Sequence, residues 1–260
     1  MKAVILHYHL FKNAGTSLDA AFKENFSEAN GEWLTKEFPG QPMKKRELLK
    51  QWIIENPQTK CFSSHTAILP VPKIEGVNII PVIFIRNPID RIASAYSFEK
   101  KQGGNGVGPT LARNTTLSGY VETRLAMYPD RQCSNFQAHR LATMFGQKQG
   151  DEEERANIAV EKLPFVGVVE KYSESLVKLE LLLEGKGFNG IKLKSVEKNV
   201  SRDIKKSLDD YIITEKIDVI TLSSTHLLFL KSLLEKEFPQ VEFIDPGSLV
   251  AKEIFLKIKN

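Results

Sequence analysis

Only two cysteines, Cys61 and Cys133, occur in the 260 residues. That scarcity excludes a disulfide framework, and a reducing compartment is the simplest setting. Long apolar runs are also missing. No stretch approaches the roughly 20 residues that a membrane span requires, so none is expected. The apolar opening Met1–Leu6 is too short for a signal peptide, which points to a cytoplasmic protein. Excess charge is small, at +4. Such a bias attracts phosphorylated or acidic ligands weakly and gives no reason to expect nucleic acid as a partner. Histidine is sparse, with five residues. His7 and His9 share one face of the first apolar run, but no third ligand is evident nearby, so no metal is expected. Internal repeats and low-complexity segments are absent. An apolar share of 42% suffices for one sizeable core, and residues 1–260 read as a single domain.

What is present begins at Ala3–Leu6, an apolar run that reads as a buried strand. It leads into His9-Leu10-Phe11-Lys12-Asn13-Ala14-Gly15-Thr16-Ser17 and then an amphipathic helix carrying Leu18, Ala20, Ala21, Phe22 and Phe26. The first N–H groups of a helix lack intrahelical partners, and its dipole favours negative charge there. Lys12 adds a full positive charge, and Thr16 and Ser17 add hydroxyl donors with capping chemistry. Asn13, Ala14 and Gly15 complete a cradle for a phosphate or sulfate group. The order differs from G-x-x-x-x-G-K-[ST], because Lys12 precedes Gly15 and Thr16 follows it directly. The run Val82–Ile85 ends in Arg86 rather than a metal-binding carboxylate, which argues against magnesium-assisted phosphoryl transfer.

A second motif follows that run: Arg86-Asn87-Pro88-Ile89-Asp90-Arg91-Ile92-Ala93-Ser94-Ala95-Tyr96. Pro88 suits the first turn of a helix, and an arginine with a serine hydroxyl at a strand–helix junction makes another phosphate site. Together the two motifs resemble the sulfotransferases that use 3′-phosphoadenosine-5′-phosphosulfate (PAPS), particularly the carbohydrate branch. The resemblance implies that Lys12, Gly15, Thr16 and Ser17 hold the 5′-phosphosulfate. It also implies that the Arg86-to-Tyr96 segment, chiefly Arg86 and Ser94, holds the 3′-phosphate. The product would be the 3′,5′-bisphosphate PAP, and no metal would be needed. Asn135–Ala142 and Phe165–Tyr172 with Leu176 and Leu179 resemble later parts of the same family, and Arg202 resembles its late basic residue near the 3′-phosphate. The implied partner is a carbohydrate or other hydroxyl-bearing acceptor. A P-loop nucleotide kinase and a non-catalytic PAP(S)-binding protein are the alternatives.

Sulfuryl transfer needs a base for the acceptor proton. His65 follows the strand-like run Lys60–Ser64, and the resemblance places a catalytic histidine in a comparable position; Glu32 and Glu37, after the weak second strand, are the fallback, since the resemblance includes branches that use a glutamate there. On a later helix Gln137 and Arg140 are three apart and can face one cleft, with His139 turned elsewhere. The patterning predicts strands at Ala3–His9, Glu32–Thr35, Lys60–Ser64, Val77–Ile85 and Phe165–Val169. It predicts helices at Ser17–Asn25, Lys44–Glu55, Pro88–Lys101, Leu117–Met127, Ser134–Phe145, Glu152–Lys162, Ser173–Glu184, Ile204–Thr214 and Ser223–Phe238. This is an α/β, P-loop-like three-layer fold, with a central parallel sheet of four to five strands and a helical C-terminal extension. The glycine-rich Gln102–Pro109 cannot be helical for long and is expected to be a flexible connection or a mobile flap over the acceptor.

Overall fold

The computed structural model describes residues 2–194, 219–221, 235 and 238–244. Five parallel strands form the central sheet: β1 (Lys2–Tyr8), β2 (Trp33–Thr35), β3 (Cys61–Ser64), β4 (Val77–Ile85) and β5 (Val166–Val168), in the order β2-β3-β1-β4-β5. The helices are α1 (Gly15–Lys23), α2 (Pro42–Glu55), α3 (Pro88–Gln102), α4 (Val107–Asn114), α5 (Leu117–Ala126), α6 (Phe136–Ala142), α7 (Glu152–Lys162) and α8 (Tyr172–Glu184).

Strand alternation explains the layers. Val4, Leu6 and Tyr8 of β1 join Phe62 and Ile83 on one face, packed against Leu49, Trp52 and Ile53 of α2 and residues of α6 and α7. Ile5, Cys61, Ile80, Val82 and Phe84 line the other face, against Leu18, Ala21 and Phe22 of α1 and Leu176, Leu179 and Leu183 of α8. Burial on both faces is why these strands read as nearly unbroken apolar runs. The chain leaves β1 toward β2 on one side and leaves β4 toward β5 on the other. The crevice beyond the carboxyl ends of β1 and β4 is therefore the switch point where ligands bind in such sheets.

Two local expectations need correction. Helix α1 starts at Gly15, so Thr16 and Ser17 lie inside the first turn, and the cap is Ala14, which contributes no side-chain hydrogen bond. The glycine-rich segment is half helical, because α4 begins at Val107. Gly108 explains this: a Cβ there would lie 2.4 Å from Arg124 Nη2 and 2.5 Å from Glu99 Oε2. Only glycine lets α4 lie against that pair. Glu99 and Arg124 (2.8 Å) are almost wholly buried, with the Tyr120 hydroxyl donating to Glu99 and Arg124 also paired with Asp130. This polar knot ties α3, α4 and α5 together; removing one partner would strand a buried charge. Both cysteines are free thiols.

The chain divides into two compact units, Met1–Ser195 and Val196–Asn260. In the second, β6 (Val219–Thr221) and β7 (Glu242–Ile244) form a parallel pair that the sequence reading missed. Arg202 and the expected helix Ile204–Thr214 lie outside the described residues, as does Ser223–Phe238 apart from Glu235 and Phe238.

Candidate functional site

The loop after β1 folds under strain. Lys12 (φ 63°) and Ala14 (φ 58°) both occupy the left-handed region, uncommon for residues with a Cβ. Asn13 between them anchors the turn. It is buried, and its amide donates to the Phe84 carbonyl (2.8 Å) and to Gln137 Oε1 (2.6 Å). Asn13 therefore shapes the cradle rather than facing a ligand with its Nδ2. Past it, Gly15, Thr16 and Ser17 carry the N–H groups of the first turn of α1, and Thr16 is exposed while Ser17 is half-buried. Gly15 is required by packing: a Cβ would fall 1.9 Å from His9 Cδ2.

Arg86 stands at the end of β4, its Nη1 3.4 Å from the Lys12 carbonyl. Its Nε is buried with no hydrogen-bond partner among the described residues. The backbone of Arg86 is held from α6: Gln137 accepts from its N–H and donates to its carbonyl, both at 2.7 Å. One glutamine thus joins the β1 loop and the end of β4. The Lys12 ammonium lies 4.5 Å over the ring of Phe98 on α3, which also packs edge-on against Phe11. Ser94, one turn before Phe98, shares that face of α3. Burial, and then the nearby Arg86, hold the Lys12 amine below its ordinary pKa. Among the described residues neither Lys12 nor Arg86 pairs with a carboxylate. Two neighbouring cations without carboxylate partners among the described residues, beside the first-turn N–H groups of α1, make a candidate anion site.

Arg91 and Tyr96, also in the second motif, turn away from it. Arg91 is buried, stacks over Phe136 (4.5 Å) and donates to the Gln132 backbone, while the Tyr96 hydroxyl donates to the Thr115 carbonyl (2.9 Å). They serve packing.

His65 follows β3, and its ring lies 3.7 Å from the ring of His9, which packs under Gly15. Its backbone is pinned on both sides: its N–H donates to Glu37 (3.0 Å) and its carbonyl accepts from Arg140 (2.5 Å). Burial, and then neighbouring His9, hold the imidazole below the ordinary histidine value, against the opposing pull of Glu37 and Asp19. The ring is therefore neutral at pH 7, with a lone pair to accept a proton. Arg140 also lines a small pocket with Tyr8, Leu69 and Ile83, and the Tyr8 hydroxyl is buried with no hydrogen-bond partner among the described residues.

Glu32 is excluded as a base by its position. It precedes β2, at the amino end of the sheet, pairs with Lys60 (2.6 Å) and accepts from the Ser27 N–H. Glu37 and Arg140 do reach the site, holding His65, whereas His139 faces Glu152 at 2.9 Å. Asp19 escaped the sequence reading altogether. Set among apolar residues of α1, it meets both His7 Nδ1 (2.7 Å) and His9 Nδ1 (2.9 Å), supplying the third group judged missing. Its signal was the spacing to Phe22, three residues on, which places it on the inward face of α1.

Fold and site together define a parallel α/β protein with a candidate anion site at its topological switch point. The chain is 42% identical over 187 residues to an uncharacterized protein of Archaeoglobus fulgidus, the match covering 69% of this chain and 72% of that protein, and it belongs to the same family. A shorter similarity, 28% over 70 residues, links it to a glutamate racemase of Carboxydothermus hydrogenoformans, covering 25% of this chain and 26% of that enzyme. No protein-family model matches the chain.

Proposed function

We propose that the protein is a sulfotransferase that moves a sulfuryl group from PAPS to an acceptor hydroxyl, on a carbohydrate by the resemblance of its motifs. The observation that carries this reading is the pairing of Lys12 and Arg86. They are two cations without carboxylate partners among the described residues, set against the first turn of α1, with a buried Arg86 Nε that lacks a hydrogen bond. The donor fits this chemistry, since it is anionic at both its 5′ and 3′ ends.

In this reading Lys12 and the N–H groups of Gly15, Thr16 and Ser17 hold the 5′ end, with the Thr16 and Ser17 hydroxyls beside them. Arg86 and Ser94 hold the 3′-phosphate. The bound donor supplies an activated sulfuryl group for in-line displacement. Lys12 and the first-turn amides face the oxygen on which charge develops as the bond breaks. His65 takes the acceptor proton, its ring packed against His9 and its backbone held by Glu37 and Arg140. The protein would act in the cytoplasm, as one sulfotransferase domain, on a carbohydrate or other alcohol, without nucleic acid as a partner.

Replacing both Arg86 and Ser94 by alanine tests the assignment of the 3′ end. Calorimetric titration should show binding of PAP weakened far more than binding of an analogue lacking the 3′-phosphate. Equal weakening of the two ligands would refute the role given to these residues.

A further inference from the structure

We propose that His7, His9 and Asp19 form a binding site for one divalent first-row transition ion beneath the anion loop. His7 and His9 are alternate residues on one face of the β1 segment, and Asp19 enters from α1. Their three ligand atoms all lie within 4.8 Å of one another. Each imidazole meets a different carboxylate oxygen, at 2.7 Å and 2.9 Å. Metal–ligand bonds of about 2.0–2.2 Å put adjacent donors roughly 3 Å apart, so an ion needs only a small outward shift of these groups. The two rings are near parallel, 5.2 Å apart and inclined by 18°. Ser63 Oγ, 3.2 Å from His7 Nδ1, is an oxygen within reach of the same centre.

The donor set selects the ion. Two imidazole nitrogens and a carboxylate suit zinc, iron, cobalt or nickel, whereas magnesium and calcium favour all-oxygen shells. The surroundings suit a structural or electrostatic ion: His7 is 1% exposed and His9 7%, while the Asp19 side chain keeps 15% of its surface and leaves a way in.

Position gives the site its consequence. His9 packs under Gly15, so the cluster lies directly below the anion loop. The Asp19 carboxylate, set between two imidazoles, lies under a loop of cationic character. A dication reverses the sign of that carboxylate and adds to the field of Lys12 and Arg86. The site holds whether or not the anion proves to be PAPS.

Cobalt is the probe. The full chain, stripped with a chelator and titrated with Co²⁺, should develop visible ligand-field bands that saturate at one equivalent. Asp19→Asn and His9→Gln should each lower the affinity at least tenfold, while His139→Ala, at the surface, should leave it unchanged. Because replacing buried groups risks unfolding, X-ray absorption at the cobalt edge of the wild-type protein gives an independent answer. Two imidazoles with oxygen ligands support the site. No stoichiometric bands, a shell without paired imidazoles, or loss of binding with His139→Ala would overturn it and leave Asp19 as a hydrogen-bond acceptor for two histidines.

Discussion

His65→Ala is expected to abolish sulfuryl transfer while leaving the affinity for PAP within a fewfold of wild type. The expectation rests on how the residue is held. Its backbone is fixed from Glu37 and from Arg140, neither of which depends on the imidazole, so removing the ring leaves the β3 end in place. What is lost is a neutral ring against His9, at the edge of the anion loop. General bases contribute about 10²–10⁴-fold, which takes a slow enzyme below detection. Turnover and bisphosphate binding measured on one preparation separate the outcomes. Lost binding would make His65 structural, and retained turnover would remove it as the base.

Lys12→Ala should lower turnover by more than about two orders of magnitude, the scale of losing one preorganised electrostatic donor. The backbone asks the same of lysine and alanine at φ 63°, since both carry a Cβ, so the substitution deletes the charge without easing or worsening the loop. The contact with Phe98 is lost too, but a half-exposed cation–π pair is worth only about 0.5–1 kcal/mol. Initial rates at saturating donor test this directly, and a near-normal rate would refute the role of Lys12 as an electrostatic donor.

The sheet was legible because its strands, buried on both faces, read as apolar runs bounded by polar residues. β4 was placed to the residue, and β1, β3 and β5 to within a residue or two at each end. Both cationic motifs could be placed at strand ends because each follows an apolar run. Other features depend on partners distant in sequence. Gly108 argued for a loop, since nothing local reveals that a buried Glu99–Arg124 pair needs a glycine against it. Gln137 looked like a cleft residue, but its double hydrogen bond to the Arg86 backbone spans 51 positions. Asp19 was hidden because a carboxylate in an amphipathic helix reads as solvated until the opposing strand is known to carry two histidines. Glu32 illustrates the converse: nearness to a weak strand suggested the site, while strand direction puts it at the other end of the sheet.

The most direct test of the central claim is the thermal stabilisation of the full chain by PAP, compared with ADP and ATP, each with and without magnesium. A ligand at about 100 times its dissociation constant adds roughly 2.7 kcal/mol to stability. The anion site at the ends of β1 and β4 predicts stabilisation by PAP that does not depend on magnesium and exceeds that by ADP. Stabilisation by magnesium–ATP instead, with none from PAP, would contradict the sulfotransferase reading and favour a nucleotide kinase.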